Sequence, residues 1–263
     1  MLGALTDEAH ARAATLAHRA AEVRRAGAGI GEVPGFAAAL RGEDVRVVAE
    51  VKRASPSKGV INRDLDVQKQ VVAYEAGGAA AISVLTEPTR FAGSNEDLTR
   101  ARSSVSIPLL KKDFHVATLQ IVEARSLGAS AALVIARAVP PARLRELMTA
   151  GNDAGIEILV EVRDEREVEL ALSFGATLIG VNNRNLESLE IDPETSVRLL
   201  QLIPRSVVAI AESGLRMAKD VERMAGVGAD AVLVGTELSS SGEPEAAVRS
   251  LTGIKRTPGA RKS

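Results

Sequence analysis

Runs of apolar residues alternate with amphipathic stretches along most of the chain. Four of these runs follow a glycine and a small residue, in the segments AGGAAAISVL, LGASAALVIA, FGATLIGVN and VGADAVLVG at residues 76–85, 127–136, 174–182 and 227–235. The glycine of each run suits the position after a helix, where a positive φ is needed. These glycines are Gly78, Gly128, Gly175 and Gly228, spaced 50, 47 and 53 residues apart. That spacing is about twice the length of one βα unit, which takes roughly 30 residues or fewer.

A second strand is therefore predicted before the first repeat and inside each interval. Apolar runs are present there, at residues 45–51, 107–114, 156–162 and 206–213. Eight strands that alternate with helical stretches predict an α/β protein with the (β/α)8 (TIM) barrel fold. An open, doubly wound sheet is the alternative, and it is less favoured because no glycine-rich dinucleotide motif follows the first strand.

The pattern divides the chain into three parts. They are a short helical N-terminal extension at 1–40, the barrel at 41–254 and a basic C-terminal tail at 255–263. The Ala/Arg-rich stretch 6–26 is predicted to be one helix, too polar for the core, with 27–36 as a linker. We expect 30–40 to pack on the barrel and the segment before it to cover the barrel mouth as a mobile element. The tail is expected to be frayed.

Composition and charge narrow the possible functions. Apolar residues make up 46% of the chain and aromatic residues 2%, with no Trp, which suits a buried parallel sheet flanked by Ala-rich helices. A net charge of −1 gives no reason to expect nucleic acid or an anionic membrane as a partner. The chain has no cysteine and its three histidines are dispersed, so we expect no metal site. No signal-peptide pattern or long apolar run appears, so a cytoplasmic protein is expected.

Ionisable and polar residues follow nearly every predicted strand. They include Glu50, Lys52, Thr86, Glu87, Lys112, Asp113, Arg137, Glu161, Asn182, Arg184, Glu212 and Ser213. In barrels of this kind the catalytic groups sit at the C-terminal ends of the strands. Charges brought together there must pair with one another, and such pairing perturbs their pKa values as active sites require. The set therefore predicts an enzyme with its active site at this end of the barrel.

The last two strand ends indicate a phosphorylated substrate. AESGL at 211–215 and LVGTEL at 233–238 each place a glycine and a hydroxyl residue directly after a strand. In barrel enzymes the seventh and eighth loops commonly bind phosphate through backbone N–H groups, and glycine allows a close approach. We therefore expect a small phosphorylated molecule as the partner. Its phosphate is expected to contact Ser213, Gly214, Gly235 and Thr236.

Seven motifs, taken together and in order, resemble one enzyme family. They are VVAEVKRASPSKG, AISVLTE with FAGS, LLKKDF, LVEV, IGVNNRNL, AESGL and VLVGTEL. With their spacing they are similar to indole-3-glycerol phosphate synthase over residues 45–250, whereas the first 40 residues match only in general character. The resemblance implies conversion of 1-(2-carboxyphenylamino)-1-deoxyribulose 5-phosphate to indole-3-glycerol phosphate, CO2 and water, in tryptophan biosynthesis. It implies no cofactor and no metal.

The resemblance also implies roles for the charged residues. Lys112 matches the lysine of the family's KDF motif and is expected to be the general acid that protonates the ketone oxygen. Lys111 is the competing lysine, but adjacent strand residues point to opposite faces. Glu161 and Glu50 are carried over as further acid–base groups, and Lys52 as a lysine that holds the anionic substrate. The sequence does not settle how Glu50, Lys52 and Glu161 divide the proton transfers.

The remaining site residues are expected to bind the substrate. Asn182, also among the catalytic candidates, and Arg184 match positions near the substrate carboxylate, where a planar guanidinium fits. Ser55 and Glu212 are further polar candidates. Lys58 is expected to face solvent and is not a catalytic candidate. With no Trp in the chain, contacts to the substrate ring are expected from three apolar side chains rather than from the N-terminal segment. These are Phe91, Phe114 and Leu186.

Three other functions are alternatives to this one. Phosphoribosylanthranilate isomerase has the same barrel fold, but its general base is a cysteine and this chain has none. A Schiff-base aldolase would use Lys112 with the same phosphate loops. A non-catalytic phosphate-binding scaffold would have lost the ionisable residues that this chain retains. A monomer or weak homo-oligomer is expected.

Overall fold

Eight parallel strands close into a barrel in the computed structural model, which describes residues 1–257 and 259–261. The barrel strands are β1 (Arg46–Val51), β4 (Ala81–Leu85), β5 (Leu109–Lys112), β6 (Ala131–Ile135), β7 (Glu157–Val162), β8 (Leu178–Asn182), β9 (Val208–Glu212) and β10 (Ala231–Val234). A small antiparallel hairpin after β1 supplies β2 (Ala54–Ser55) and β3 (Gly59–Val60). β1 pairs with both β4 and β10, which closes the ring. The predicted (β/α)8 barrel is confirmed.

Helices surround the barrel. They are α1 (Leu2–Ala17), α2 (Ala20–Gly29), α3 (Phe36–Ala39), α4 (Val67–Ala76), α5 (Pro88–Phe91), α6 (Asn95–Arg102), α7 (Thr118–Ser126), α8 (Pro141–Ala154), α9 (Glu165–Ser173), α10 (Glu194–Leu199), α11 (Ala218–Gly226), α12 (Thr236–Ser239) and α13 (Pro244–Arg249). Short 3-10 turns span Ala136–Ala138 and Leu200–Leu202. None of the helices among the described residues is long and apolar enough to cross a membrane.

The repeat glycines end helices, as their pattern predicts. Gly78, Gly128, Gly175 and Gly228 all have positive φ, between 80° and 93°. Each lies two residues after the end of a helix and precedes a strand whose side chains are nearly all buried. Because a left-handed residue stops the helix there, the chain turns back into the sheet at the same point in each repeat.

The N-terminal extension differs from the prediction. It forms two helices, α1 and α2, rather than one helix over 6–26. Leu2, Leu5 and Ala9 are buried within the main core, so the expectation that this segment stays off the core is wrong. The physical reason is amphipathicity: these residues recur at helical spacing on one face, while the polar residues occupy the other.

The segment after α2 is also more ordered than a linker. Phe36 begins α3 and is fully buried. The carboxylate of Glu157, at the start of β7, accepts hydrogen bonds from the backbone N–H groups of Phe36 and Ala37 at 2.7 and 2.8 Å. A carboxylate at a helix start stabilises the exposed amides there. This contact fixes the segment at the end of the barrel where the strands begin.

The C-terminal tail packs against the barrel where the structure describes it. Asp44 and Lys255 form a β-bridge, and the Arg256 N–H donates to the Glu43 carbonyl at 2.9 Å. Arg261 is 4% exposed and binds the buried carboxylate of Asp230 at 2.5 Å. The expectation of a frayed tail is therefore wrong for these residues; Pro258, Lys262 and Ser263 lie outside the described residues.

Candidate active site

The C-terminal ends of the strands surround a cavity of about 150 Å³. All of the site residues predicted from the sequence lie in its wall. They are Glu50, Lys52, Ser55, Phe91, Lys112, Phe114, Glu161, Asn182, Arg184, Leu186, Glu212, Ser213, Gly214, Gly235 and Thr236. The sequence thus indicates which residues share the cavity, and their roles in it stay predictions.

Lys112 lies at the centre of a buried charge network. Its Nζ is 2.6 Å from Glu212 Oε2 and 3.2 Å from Glu161 Oε2. Burial by itself lowers the pKa of Lys112, but the negative charges of Glu212 and Glu161 outweigh this effect. With a further contribution from Glu50, they hold that pKa above the ordinary lysine value. Lys112 therefore carries its proton at neutral pH and can donate it.

Glu212 is almost completely buried, at 1% exposure. Burial raises the pKa of Glu212 to about 7; the charge of Lys112 opposes this shift, and the charge of Glu161 adds to it. Only Oε2 binds Lys112, while Oε1 is buried with no hydrogen-bond partner among the described residues. A carboxyl group in this setting exchanges its proton near neutral pH.

Glu161 is held by a second strand. The Asn182 side-chain amide donates to Glu161 Oε1 at 2.9 Å, and the Asn182 side-chain oxygen accepts from the Arg184 N–H at 2.9 Å. The Arg184 guanidinium donates to the Leu189 carbonyl at 2.9 Å. These bonds fix the Glu161 carboxylate beside Lys112 and set the start of the loop after β8.

Glu50 and Lys52 form a pair at the end of β1, with Lys52 Nζ 2.7 Å from Glu50 Oε1. Glu50 is in β1 and Lys52 directly follows it, and both side chains line the cavity. Gly235, at the end of β10, faces this pair. A Cβ atom at Gly235 would lie 2.2 Å from Glu50 Oε1 and 2.8 Å from Lys52 Nζ. The glycine therefore makes room for the pair as well as for a ligand.

Lys111 and Lys112 point to opposite faces of β5, as strand geometry predicts. Lys111 is 2% exposed, and its Nζ lies 3.5 Å from Asp113 Oδ2 and 3.4 Å from Glu123 Oε2 on α7. It is absent from the cavity wall. Its contacts join the barrel to the helix layer, which is a structural arrangement.

The predicted phosphate loops meet on the β9–β10 side of the cavity. Ser213 and Gly214 both have positive φ, 69° and 80°. A left-handed conformation is unusual for a non-glycine residue such as Ser213 and is often found at functional sites. A Cβ atom at Gly214 would lie 2.6 Å from Ile191 Cγ2, so this turn also needs glycine for space. Thr236 begins α12 directly after Gly235.

An apolar wall faces the charged groups. The rings of Phe91 and Phe114 are 6.4 Å apart between centroids and tilted by 41°. Leu186 and Ile191 extend this wall, and Met1 and Leu5 of the N-terminal segment also line the cavity. The sequence predicts that this segment covers the barrel mouth but does not identify Met1 and Leu5, which precede the helix predicted from residue 6. The expectation that Phe91, Phe114 and Leu186, rather than this segment, contact the substrate ring stays a prediction.

Arg12 fastens α1 to the cavity rim. Its guanidinium lies 2.7 Å from Asp113 Oδ1 and 3.6 Å from Glu87 Oε1. Burial raises the pKa of the Asp113 carboxyl, but Lys111, His115 and Arg12 outweigh it and lower that pKa to about 2. Glu87 also accepts the N–H groups of the turn that carries Phe91. Arg12 therefore links α1 to the segments that carry Phe91 and Phe114.

We expect Arg12→Gln to raise KM while kcat changes little. Freed from Asp113, α1 would hold Met1 and Leu5 less firmly over the cavity. A rise of about fivefold corresponds to about 1 kcal/mol of lost apolar contact. Steady-state kinetics measures it, with Arg19→Gln as the control because Arg19 pairs with Glu22 on the exposed surface. An unchanged KM in a folded Arg12→Gln protein contradicts the prediction.

Comparisons with known proteins agree on one family. The family model of indole-3-glycerol phosphate synthase matches residues 7–251. An indole-3-glycerol phosphate synthase of Mycolicibacterium gilvum is 49% identical over 214 residues, 81% of this chain and 79% of the relative. Indole-3-glycerol phosphate synthase 1 of Streptomyces coelicolor is 46% identical over 246 residues, 94% of this chain and 89% of the relative.

Solved structures of low sequence identity share the fold alone. A 3-hexulose-6-phosphate synthase from Salmonella typhimurium superposes with a TM-score of 0.64 at 15% identity, over 79% of this chain and 96% of that one. A thiamine phosphate pyrophosphorylase from Pyrococcus furiosus gives 0.59 at 15% identity, over 79% and 93%. The family match spans residues 7–251, a range that includes every residue of the network around Lys112. The chain belongs to the indole-3-glycerol phosphate synthase family, whose members are carboxy-lyases of tryptophan biosynthesis.

Proposed function

We propose that this barrel closes the indole ring of 1-(2-carboxyphenylamino)-1-deoxyribulose 5-phosphate, with Lys112 as the acid. The observation that carries the proposal is the placement of the Lys112 ammonium, 2.6 and 3.2 Å from two buried carboxylates and inside a cavity with one apolar wall. A charged, desolvated and positioned ammonium is the group that ring closure needs, because negative charge develops on the ketone oxygen.

The reaction proceeds in three chemical steps. The ring carbon that bears the carboxylate attacks the ketone carbon, a C–C bond forms, and Lys112 transfers a proton to the ketone oxygen. The carboxylate then leaves as CO2, which restores the aromatic ring. Finally the new hydroxyl takes a proton and leaves as water, while the adjacent methylene carbon gives up a proton, which forms the C=C bond of the indole. The last step needs one acid and one base.

The cavity offers two groups for this last step. Glu161, fixed by Asn182, lies beside Lys112, and the pair of Glu50 and Lys52 lies at the end of β1. A carboxylate paired with a lysine is suited to base and acid roles respectively. In this proposal Arg184 holds the substrate carboxylate, and the apolar wall of Phe91 and Phe114 holds the aromatic ring. The proposal requires no cofactor and no metal.

We expect an anion to bind between the two glycine turns. In a crystal soaked in sulfate or phosphate, it should contact backbone N–H groups of residues 213–215 and 235–237, because both turns line the cavity and their glycines permit close approach. Difference density in the soaked crystal is the measurement. An anion found only elsewhere, with these amides turned away, argues against a phosphorylated substrate at this site.

The function is tested by incubating the protein with the carboxyphenylamino substrate and following indole fluorescence. Fluorescence should rise with the wild-type protein and should not rise with Lys112→Met, which keeps the length of the side chain without its charge. Borohydride with a ketose phosphate is the second arm, because an aldolase would leave a covalent adduct on lysine. Absence of fluorescence from folded wild-type protein, or a trapped adduct, argues against the proposal.

Oligomeric state and location complete the proposal. A monomer or weak homo-oligomer is supported by the dispersion of the large exposed apolar side chains over separate elements, as in Val60, Val72, Leu202 and Met217. Light scattering after size-exclusion chromatography measures it, and a stable oligomer at low concentration argues against it. The cytoplasmic location expected from the sequence remains part of the proposal.

A further inference from the structure

Gly180 lies in the middle of β8, inside the barrel and against Glu212. A Cβ atom at Gly180 would lie 2.0 Å from Glu212 Oε1 and 3.1 Å from its Cδ. Carbon–oxygen contacts are ordinarily about 3.3 Å or longer. Any side chain at this position therefore forces the Glu212 carboxylate to move by about 1 Å.

The backbone conformation at residue 180 does not require a glycine. Gly180 is not among the described glycines with positive φ, so the strand backbone there suits any residue. Glycine within a strand is destabilising by roughly 0.5–1 kcal/mol relative to alanine. A glycine in the interior of a strand often marks a close approach of another group. Here the approaching group is a buried carboxylate, and both flanking strand residues are fully packed.

We propose that Gly180 is a positioning residue: by carrying no side chain, it lets Glu212 place its carboxylate against Lys112. The space over Gly180 takes Oε1, which has no hydrogen-bond partner among the described residues, and this directs Oε2 to Lys112 at 2.6 Å. The inference rests on the proposed role of Lys112 as the acid. Gly180 also pairs in register with Glu161 of β7, so it lies close to both carboxylates that contact the lysine.

The expected effect of Gly180→Ala is on chemistry rather than on substrate binding. A displaced Glu212 no longer holds the Lys112 ammonium in place, and misplacement of a catalytic group by about 1 Å costs on the order of 10²-fold in rate. We therefore expect kcat to fall by about that factor while KM changes little, because Gly180 is not part of the cavity wall. A purely structural role would lower the melting temperature without this separation of kcat from KM.

The pH profile gives a second signature. The charged groups near Glu212 are Lys112 on β5, Glu161 on β7 and Glu50 on β1. Lys52 and Arg184 also line the cavity. Moving the carboxylate away from Lys112 removes the attraction that opposes burial, so the pKa of Glu212 rises further. The low-pH limb of the kcat profile should then move to higher pH in Gly180→Ala.

A double-mutant cycle tests the inference, using Gly180→Ala, Glu212→Ala and both together in the fluorescence assay. Once the Glu212 carboxylate is gone, a methyl group at position 180 has room, so the second change should alter kcat by less than about twofold. A Gly180→Ala protein that folds only in combination with Glu212→Ala also supports the proposal. Equal losses in both backgrounds, wild-type kcat in Gly180→Ala, or failure of both Gly180→Ala proteins to fold overturn it. Wild-type protein in the same assay distinguishes failure of this inference from failure of the proposed function. If the proposed function is wrong, the wild-type protein itself shows no turnover.

Discussion

Lys112→Ala should lose turnover by about 10²- to 10⁴-fold while the protein stays folded, the range expected for removal of a positioned acid. The side chain ends in a network of buried carboxylates, with Glu212 at 2.6 Å and Glu161 at 3.2 Å. No other ammonium is held this way in the described cavity wall, where Lys52 is paired with Glu50 and Lys58 is exposed. Indole fluorescence measures turnover, and circular dichroism checks the fold.

Lys111→Ala is the matched control, because Lys111 precedes Lys112 and points to the opposite side of β5. Its ammonium neutralises Asp113 and Glu123, so its removal should lower stability and leave kcat within a few-fold of wild type. Arg12 still neutralises Asp113 in this variant, which limits the loss of stability. Comparable losses of kcat at both positions would show that Lys112 has no special role in proton transfer.

The fold was predictable because its signals are local and repeated. The glycines that end the helices, Gly78, Gly128, Gly175 and Gly228, need positive φ, and each is followed by a run of buried apolar residues. Strand burial on both sides removes the alternation of half-exposed strands, so continuous apolar runs mark the sheet. Neither signal depends on knowledge of distant parts of the chain.

The N-terminal extension was predicted poorly because its position depends on distant contacts. Leu2 and Leu5 are buried on a helix whose Arg12 contacts Asp113, 101 residues away in the chain. An arginine in an Ala/Arg-rich helix has the same local appearance whether it faces solvent or a buried carboxylate. The missed lining residues, Met1 and Leu5, lie before the start assumed for the helix.

The membership of the site could be predicted, but its internal geometry could not. Strand ends and motifs indicate that Glu212 and Lys112 face one cavity. They do not indicate that Glu212 is the nearer partner of Lys112, with a pKa raised to about 7 by burial. The space that allows this contact comes from Gly180, which in the sequence is one small residue within the apolar run of β8. The sequence shows the glycine but not its distance from the Glu212 carboxylate.

Asp230→Ala should be among the most destabilising single changes in the protein, although it lies far from the cavity. Asp230 is 1% exposed at the start of β10. It accepts the Ala209 N–H at 2.7 Å and pairs with Arg261, whose side chain is equally buried, and with Arg256. Without Asp230, the Arg261 charge stays buried and unpaired. Removing one partner of a buried pair typically costs about 3–5 kcal/mol.

In a chain of this size, a loss of 3–5 kcal/mol should lower the melting temperature by on the order of 10 °C. Because the pair closes the end of the barrel opposite the cavity, kcat measured well below that temperature should stay close to wild type. Glu43→Ala is the control, since Glu43 and Lys255 belong to the same tail contact but are 89% and 70% exposed, and their pair is screened by water. Calorimetry on the two variants decides the matter. If the melting temperatures of Asp230→Ala and Glu43→Ala are both close to that of the wild type, the tail contributes no stability through Asp230. If Asp230→Ala instead loses kcat at a temperature where it is fully folded, the two ends of the barrel are coupled in a way that these contacts do not explain.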